Sequence, residues 1–141
     1  QKFGIIASSD HRSTHVSYAM LYVSEMSREG VMKALRRRHC YGATDNILLE
    51  VRIGTEHMMG DELKADDAPK LRIHAIGTGP IKSLDIICNA EIYHTISPGK
   101  ATVDVTWQDP APVPGESSYY VRVIQEDGEL AWGTPLWVRR P

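Results

Sequence analysis

The sequence lacks several features that would place it at once in a functional class. Its two cysteines, Cys40 and Cys88, lie far apart without a CxxC pair, so they are either free thiols or one disulfide. The formal net charge is only −2, from 16 basic and 18 acidic residues, so no overall positive field points to a nucleic-acid partner. The residues given show no signal-peptide pattern and no apolar run long enough to serve as a membrane segment.

Proline is missing from the front of the chain. All eight prolines lie at Pro69 or later, which separates a proline-free front from a remainder rich in turn signals. Charge is also uneven: residues 1–42 hold seven Lys or Arg and three Asp or Glu, whereas residues 43–141 hold nine and fifteen. An initiator methionine is missing too, and Gln1 stands directly before an apolar run. We therefore expect the C-terminal part of a longer protein.

The first stretch that points to chemistry runs from Lys2 to His15. Within it, Phe3–Ala7 is a continuous apolar run, which is typical of a strand buried on both faces. Asp10 and His11 follow the run, and His15 comes four residues later. Parallel α/β folds place their chemistry at the carboxyl ends of such strands, and a carboxylate with imidazoles suits a borderline divalent metal. The three side chains are therefore candidate metal ligands.

Each of these residues also has a structural explanation. Asp10 could cap a helix or bond within its loop, and His11 could be an imidazole on a surface loop. His15 could orient a ligand instead of binding the metal itself. Ser8 and Ser9 are expected to form a turn, because no Ser-His-Asp arrangement can be identified around them.

Ser27 predicts the start of a helix that runs to about His39. Its hydroxyl makes it a good N-cap, and an apolar stripe with helical spacing begins at Val31. The cations Arg36–Arg38 suit the negative end of the helix dipole. Recruitment of a phosphate or another substrate group is the alternative explanation for this basic run.

From residue 43 onward the pattern changes to the alternation typical of strands. Roughly seven short apolar-polar runs are separated by turn signals, among them Gly77–Pro80 and a hairpin around Asn89–Glu91, which predicts an antiparallel sandwich. The three tryptophans are expected in or near its core, with a sugar-stacking platform as the alternative. They are Trp107, Trp132 and Trp137.

Three segments carry a resemblance to a known family: IIASSDHRSTH, SREGVMKALRRRHCYGATDNILLEVR and MGDEL. In this order they resemble the end of a bacterial hydrolase of the polymerase-and-histidinol-phosphatase (PHP) superfamily, whose metal-binding barrel is followed by a small β-sandwich. The resemblance includes the closing YYVRVIQEDGELAWGTPLWV. It implies a mixed fold. Residues 1–42 would be the last strand, metal loop and helix of an α/β barrel, and residues 43–141 an antiparallel immunoglobulin-like β-sandwich.

The resemblance also implies hydrolysis of a small-molecule ester or phosphoester with divalent metal ions (Zn, Mn or Fe). Asp10 matches the Asp of the family's Ser-Asp-x-His motif, while the His is displaced to His11 or His15. The family's His-x-His pair does not occur here, and a catalytic metal needs at least three protein ligands, so this chain alone should be inactive. The N-terminal barrel portion of the same protein, in the bacterial periplasm or cytoplasm, would complete the site.

The sequence thus leads to two hypotheses of different classes. The first is the C-terminal portion of a metal-dependent, phosphoesterase-like hydrolase, with Asp10, His11 and His15 as metal ligands. The alternative is an accessory β-sandwich binding or structural module without catalysis. A binding module should expose aromatic side chains in a row on one sheet face. The candidates are Tyr93, Tyr119 and Trp137.

Overall fold

A computed structural model describes residues 1–10 and 15–141. Within these ranges the chain forms eleven strands and one short helix. In chain order the elements are β1 (Tyr18–Leu21), α1 (Arg28–Arg36), β2 (Cys40–Ala43), β3 (Leu48–Ile53), β4 (His57–Met58), β5 (Glu62–Lys64), β6 (Lys70–Cys88), β7 (Glu91–Ile96), β8 (Lys100–Gln108), β9 (Gly115–Gln125), β10 (Leu130–Gly133) and β11 (Leu136–Arg140).

The long strand β6 organises a curled, mostly antiparallel sheet. Its first half, up to Ile76, pairs with β3 on one edge and β8 on the other. Its second half pairs with β9 from Ile81 onward on one edge, and with β7 from Leu84 onward on the other. The register shifts between Ile76 and Ile81, and there the strand crosses from one layer of the fold to the other. One strand therefore belongs to both layers.

The second layer extends outward from β9. Strand β11 pairs with the first half of β9, and β10 pairs with the second half. β2 follows beside β10, and β1 beside β2, all antiparallel. β5 lies parallel to β11. The strands from the front of the chain thus join the same sheet as those from its end.

The inner faces of the two layers share one hydrophobic core. Along β9 the odd-numbered side chains from Ser117 to Gln125 are buried, while the side chains between them are partly exposed. This alternation is the period of a strand with one covered face. Each large apolar side chain in the core contributes roughly 2 kcal/mol of burial free energy. The core includes Leu49, Val51, Leu71, Ile73, Leu84, Ile86, Val121, Val123 and Leu136.

Gln125 holds the crossing point of β6 in place. Its side-chain oxygen accepts hydrogen bonds from the backbone N–H groups of Thr78 (2.8 Å) and Gly79 (3.4 Å), and its amide nitrogen donates to the Thr78 hydroxyl (3.1 Å). Only 1% of Gln125 is exposed. A side chain at Gly77 would overlap the Gln125 oxygen, so the backbone can approach this amide only because residue 77 is glycine.

The predicted mixed fold is wrong, because residues 1–42 are not the end of an α/β barrel. A barrel needs parallel strands covered by helices, whereas β1 and β2 pair antiparallel with each other and join the sheet of the later strands. Phe3–Ala7 is not a strand: Phe3 is 71% exposed and Ile6 is 56% exposed. The apolar run lies on the surface with one side covered, where a barrel strand would be buried on both faces.

Two local predictions differ in outcome. Ser27 is confirmed as the N-cap of α1, since its hydroxyl accepts a hydrogen bond from the Gly30 N–H at 3.0 Å. Gly77–Pro80 is not a turn between two strands but part of the continuous β6. The two layers fit the β-sandwich expected from residue 43 onward, and the division of the chain at residue 42 stays a prediction.

Replacing Gln125 by leucine should destabilise the fold by about 3 kcal/mol, because the Thr78 and Gly79 N–H groups lose a buried acceptor. Urea denaturation followed by circular dichroism measures the change. The matched control is Gln108→Leu at an exposed position of β8, which should cost no more than about 0.5 kcal/mol. Equal effects of the two substitutions would contradict the pinning role of Gln125.

Candidate functional site

Residues 1–9, which we call the strap, lie extended across the outside of the sheet. Their burial alternates, as expected for an extended segment with one covered side. The covered residues include Lys2, Gly4, Ala7 and Ser9, and the exposed ones Phe3, Ile6 and Ser8. The strap belongs to no strand of the described chain. Specific side chains hold it instead.

Thr134 forms a hydrogen bond with the backbone of the strap. Its hydroxyl accepts a hydrogen bond from the Ile5 N–H at 2.8 Å and donates one to the Cys40 carbonyl oxygen at 2.6 Å. Only 1% of Thr134 is exposed, and it lies in the short connection between β10 and β11. One buried hydroxyl thus links the strap to β2.

Two glycines allow the strap to approach β2 closely. A Cβ atom on Gly4 would lie 2.8 Å from the Cys40 sulfur, and one on Gly42 would lie 3.0 Å from the Ala7 Cβ. Both distances are shorter than ordinary van der Waals contact. The strap and β2 therefore pack together only with small residues at these positions.

Lys2 fills a site made of two carboxylates and an indole ring, which we call the lysine seat (Glu62, Glu116 and Trp137). Its Nζ lies 2.9 Å from the Glu62 Oε2 and 2.7 Å from the Glu116 Oε2. The same nitrogen lies 5.6 Å from the centroid of the Trp137 ring. Ammonium, carboxylates and an aromatic face form a favourable combination of ion pairs and a cation–π contact.

Two arginines surround the lysine seat. The Arg38 guanidinium carbon lies 5.2 Å from the Trp137 ring centroid, and its Nη2 lies 2.9 Å from the Glu62 Oε1. The Arg139 Nη2 lies 3.3 Å from the Glu116 Oε2. A groove of about 230 Å³ beside β5 and β11 is lined by both carboxylates, Trp137 and Arg139. Because the groove is open and borders the lysine seat, solvent can reach the seat.

The charges of the seat shift one another's pKa values. The Glu116 and Glu62 hydrogen bonds raise the pKa of Lys2 above its ordinary 10.5. The hydrogen bond from Lys2 lowers the pKa values of both carboxyl groups below their ordinary 4.5, with further help from Arg38 and Arg139. The groups are partly exposed, so salt weakens their attraction.

The predicted metal site lies in the loop that follows the strap. The Ser9 hydroxyl closes this loop: it accepts hydrogen bonds from the Val16 N–H (3.0 Å) and the Ser17 N–H (2.8 Å), and it donates to the Ser17 carbonyl oxygen (3.0 Å). Asp10 and His15 are therefore brought into one short loop, and both are exposed. The third candidate, His11, lies outside the described residues.

In residues 1–10 and 15–141, no group of three or more His, Cys, Asp and Glu side chains could hold a metal ion. The assignment of Asp10, His11 and His15 as metal ligands stays a prediction, as does the identity of any divalent ion. Over the same part of the chain, no helix is long and apolar enough to cross a membrane. Both cysteines are free thiols, and burial raises the pKa of Cys40.

The aromatic candidates do not form one exposed row. Tyr119 is 1% exposed and donates a hydrogen bond from its hydroxyl to the Asp109 Oδ2 at 2.5 Å. Tyr93 is exposed but packs edge-on against Trp107, with ring centroids 5.8 Å apart. Trp137 is the one that matters for the site, because it contacts Lys2. The sequence held no local signal for this contact, since 135 residues separate its partners.

Similar sequences occur among chlamydial proteins described as uncharacterized. The chain is 30% identical to one from Chlamydia pneumoniae over 97% of its own length and 27% of that protein. It is 31% identical to one from Chlamydia trachomatis over 92% of its own length and 24% of that protein. The chain therefore spans about a quarter of the length of these relatives. No family model matches it.

One solved structure, of the Clostridium thermocellum CbhA fibronectin(III)-like modules, aligns with 64% of this chain and 94% of its own, with a TM-score of 0.38 and 13% identity. The resemblance to the PHP superfamily is wrong: the relatives are uncharacterized chlamydial proteins, and residues 1–10 and 15–141 form no part of an α/β barrel. The interpretation as a phosphoesterase-like hydrolase is wrong for the same reason. The alternative, a β-sandwich module, agrees better with the sheet that the described residues form.

The strap should be released in acid. Its attraction to Glu62 and Glu116 is complete above their ordinary pKa of 4.5 and is lost as the pH falls through their lowered values; the Lys2 contribution persists until the pH exceeds its raised pKa. We expect the NMR signal of the Trp137 indole N–H to shift as the pH falls below 4.5, with a much smaller shift in Lys2→Met. The Trp132 indole is the internal reference. Identical titrations of Trp137 in both proteins would contradict the seat.

Proposed function

We propose that this chain is an accessory β-module of a longer polypeptide, without catalysis of its own, that holds the segment leading into it in a fixed direction. The observation that carries this proposal is the docked strap. Thr134, the lysine seat and the glycine contacts hold residues 1–9 against the sheet. Whatever is attached at Gln1 then takes its orientation from the module.

The proportions of the chlamydial relatives support a role inside a longer chain. Their sequences extend well beyond the stretch that matches this chain, which covers 27% of one relative and 24% of another. The partner we propose is therefore another part of the same polypeptide. A module that positions such a part needs a rigid body and a clamped entry segment, and the shared core and the strap supply these two elements.

A folded reporter domain fused directly before Gln1 tests this role. With the strap docked, we expect reporter and module to tumble together, so ¹⁵N relaxation should give them similar rotational correlation times. Lys2→Met combined with Thr134→Val removes two of the clamps, and the reporter should then tumble faster than the module. Lys100→Met, at an exposed position of β8, is the matched control and should leave the coupling unchanged.

Independent tumbling of the unvaried fusion would contradict the positioning role. Turnover of an ester or phosphoester by the chain, abolished by Asp10→Ala, would contradict the assignment to a module without catalysis. The two outcomes are separate, since the first concerns the clamp and the second concerns the loop that follows it.

A further inference from the structure

The face that holds the strap has the properties of a peptide-recognition site. We propose that it recognises an extended segment of the pattern Lys-x-Gly, that the strap is its built-in ligand, and that the same segment binds there when it is offered as a separate peptide. The inference rests on the contacts of residues 1–9 and goes beyond the positioning role. It assigns a ligand chemistry to the site.

The lysine seat determines which residue the ligand can carry at the position of Lys2. Glu62 and Glu116 approach one nitrogen at 2.9 and 2.7 Å from two different strands, and the Trp137 ring covers it at 5.6 Å. A compact ammonium with three donors can serve two such carboxylates at once, whereas a planar guanidinium favours a paired contact with one. The seat therefore favours lysine over arginine and over an uncharged residue.

The site also binds the backbone of the ligand, at residue 5, three residues after the lysine. Thr134, buried and already bonded to the Cys40 carbonyl oxygen, accepts the N–H of residue 5. This contact fixes the position of the segment along the site whatever the side chain of residue 5 is. A main-chain contact combined with selective side-chain sites is the general arrangement of proteins that bind extended peptides.

Close packing restricts one further position of the ligand, Gly4, and one position of β2, Gly42. At Gly4 a Cβ atom would lie 2.8 Å from the Cys40 sulfur, which is closer than such atoms approach. At Ala7 the side chain rests against Gly42, where the two backbones approach too closely for a larger residue on β2. The exposed Phe3 and Ile6 lie on the other side of the strap and leave their positions unrestricted.

The strap is also attached in a way that permits exchange. Residues 1–9 are not part of a strand in the described chain, so the strap can leave without breaking a sheet ladder. The lysine seat borders an open groove, and its ion pairs are partly exposed. Because a tethered segment has a millimolar effective concentration, the strap should outcompete a free peptide until its lysine is removed.

The experiment uses the full chain with Lys2→Met and the synthetic peptide QKFGIIASS. Isothermal titration should show saturable 1:1 binding, about tenfold tighter than that of QMFGIIASS, since only the first peptide fills the seat. The peptide with valine in place of glycine should bind at least about tenfold more weakly, because its side chain meets Cys40. The unvaried chain should bind QKFGIIASS about tenfold more weakly than the Lys2→Met chain does.

Adding Glu62→Gln and Glu116→Gln to the Lys2→Met chain should abolish its preference for the lysine peptide. Circular dichroism and the Trp132 indole signal confirm that this variant is folded. Equal binding of QKFGIIASS and QMFGIIASS to the Lys2→Met chain, or no saturable binding of either, would overturn the proposal. Neither result bears on the tumbling of the unvaried fusion, so failure of this inference is distinguishable from failure of the positioning role.

Discussion

The crossing of β6 between the two layers is the constraint on which the other parts of the structure depend. Gln125 pins the crossing, and Gln125 is itself the last residue of β9, which pairs with the second half of β6. The position of β9 determines where β10 and β11 lie, because both pair with it. The connection between these two strands carries Thr134, and β11 carries Trp137. The position of the face that holds the strap therefore depends on the buried Gln125 side chain, although this side chain is not part of that face.

The strap connects this architecture to function. The module has its own hydrophobic core, which is the general property of a domain. The strap fixes the direction in which the chain enters the module. Its lysine, its Ile5 N–H and its Gly4 each contact a specific group on the sheet. Such an entry segment suits a module whose task is to position or to bind a polypeptide.

The sequence could predict the features that depend on near neighbours. The alternation in β3 and β8, the hairpin between β6 and β7 and the Ser27 cap each arise from residues a few positions apart. It could not predict the strap, because Lys2 meets Glu62 and Glu116 only after the chain has folded. The same limit explains the error at Phe3–Ala7. An apolar run can be a buried strand or a one-sided strap, and composition does not separate the two.

Native-state hydrogen exchange of the Ile5 amide tests the central claim most directly. We expect this N–H, bonded to a buried hydroxyl, to exchange more slowly than in an unfolded chain. It should exchange faster than the amides of β6, which we expect to open only on global unfolding. Protection from exchange should therefore increase from the unfolded chain to the Ile5 amide, and again from Ile5 to the amides of β6. Exchange of the Ile5 amide at the unfolded-chain rate would contradict the docked strap and, with it, the positioning role.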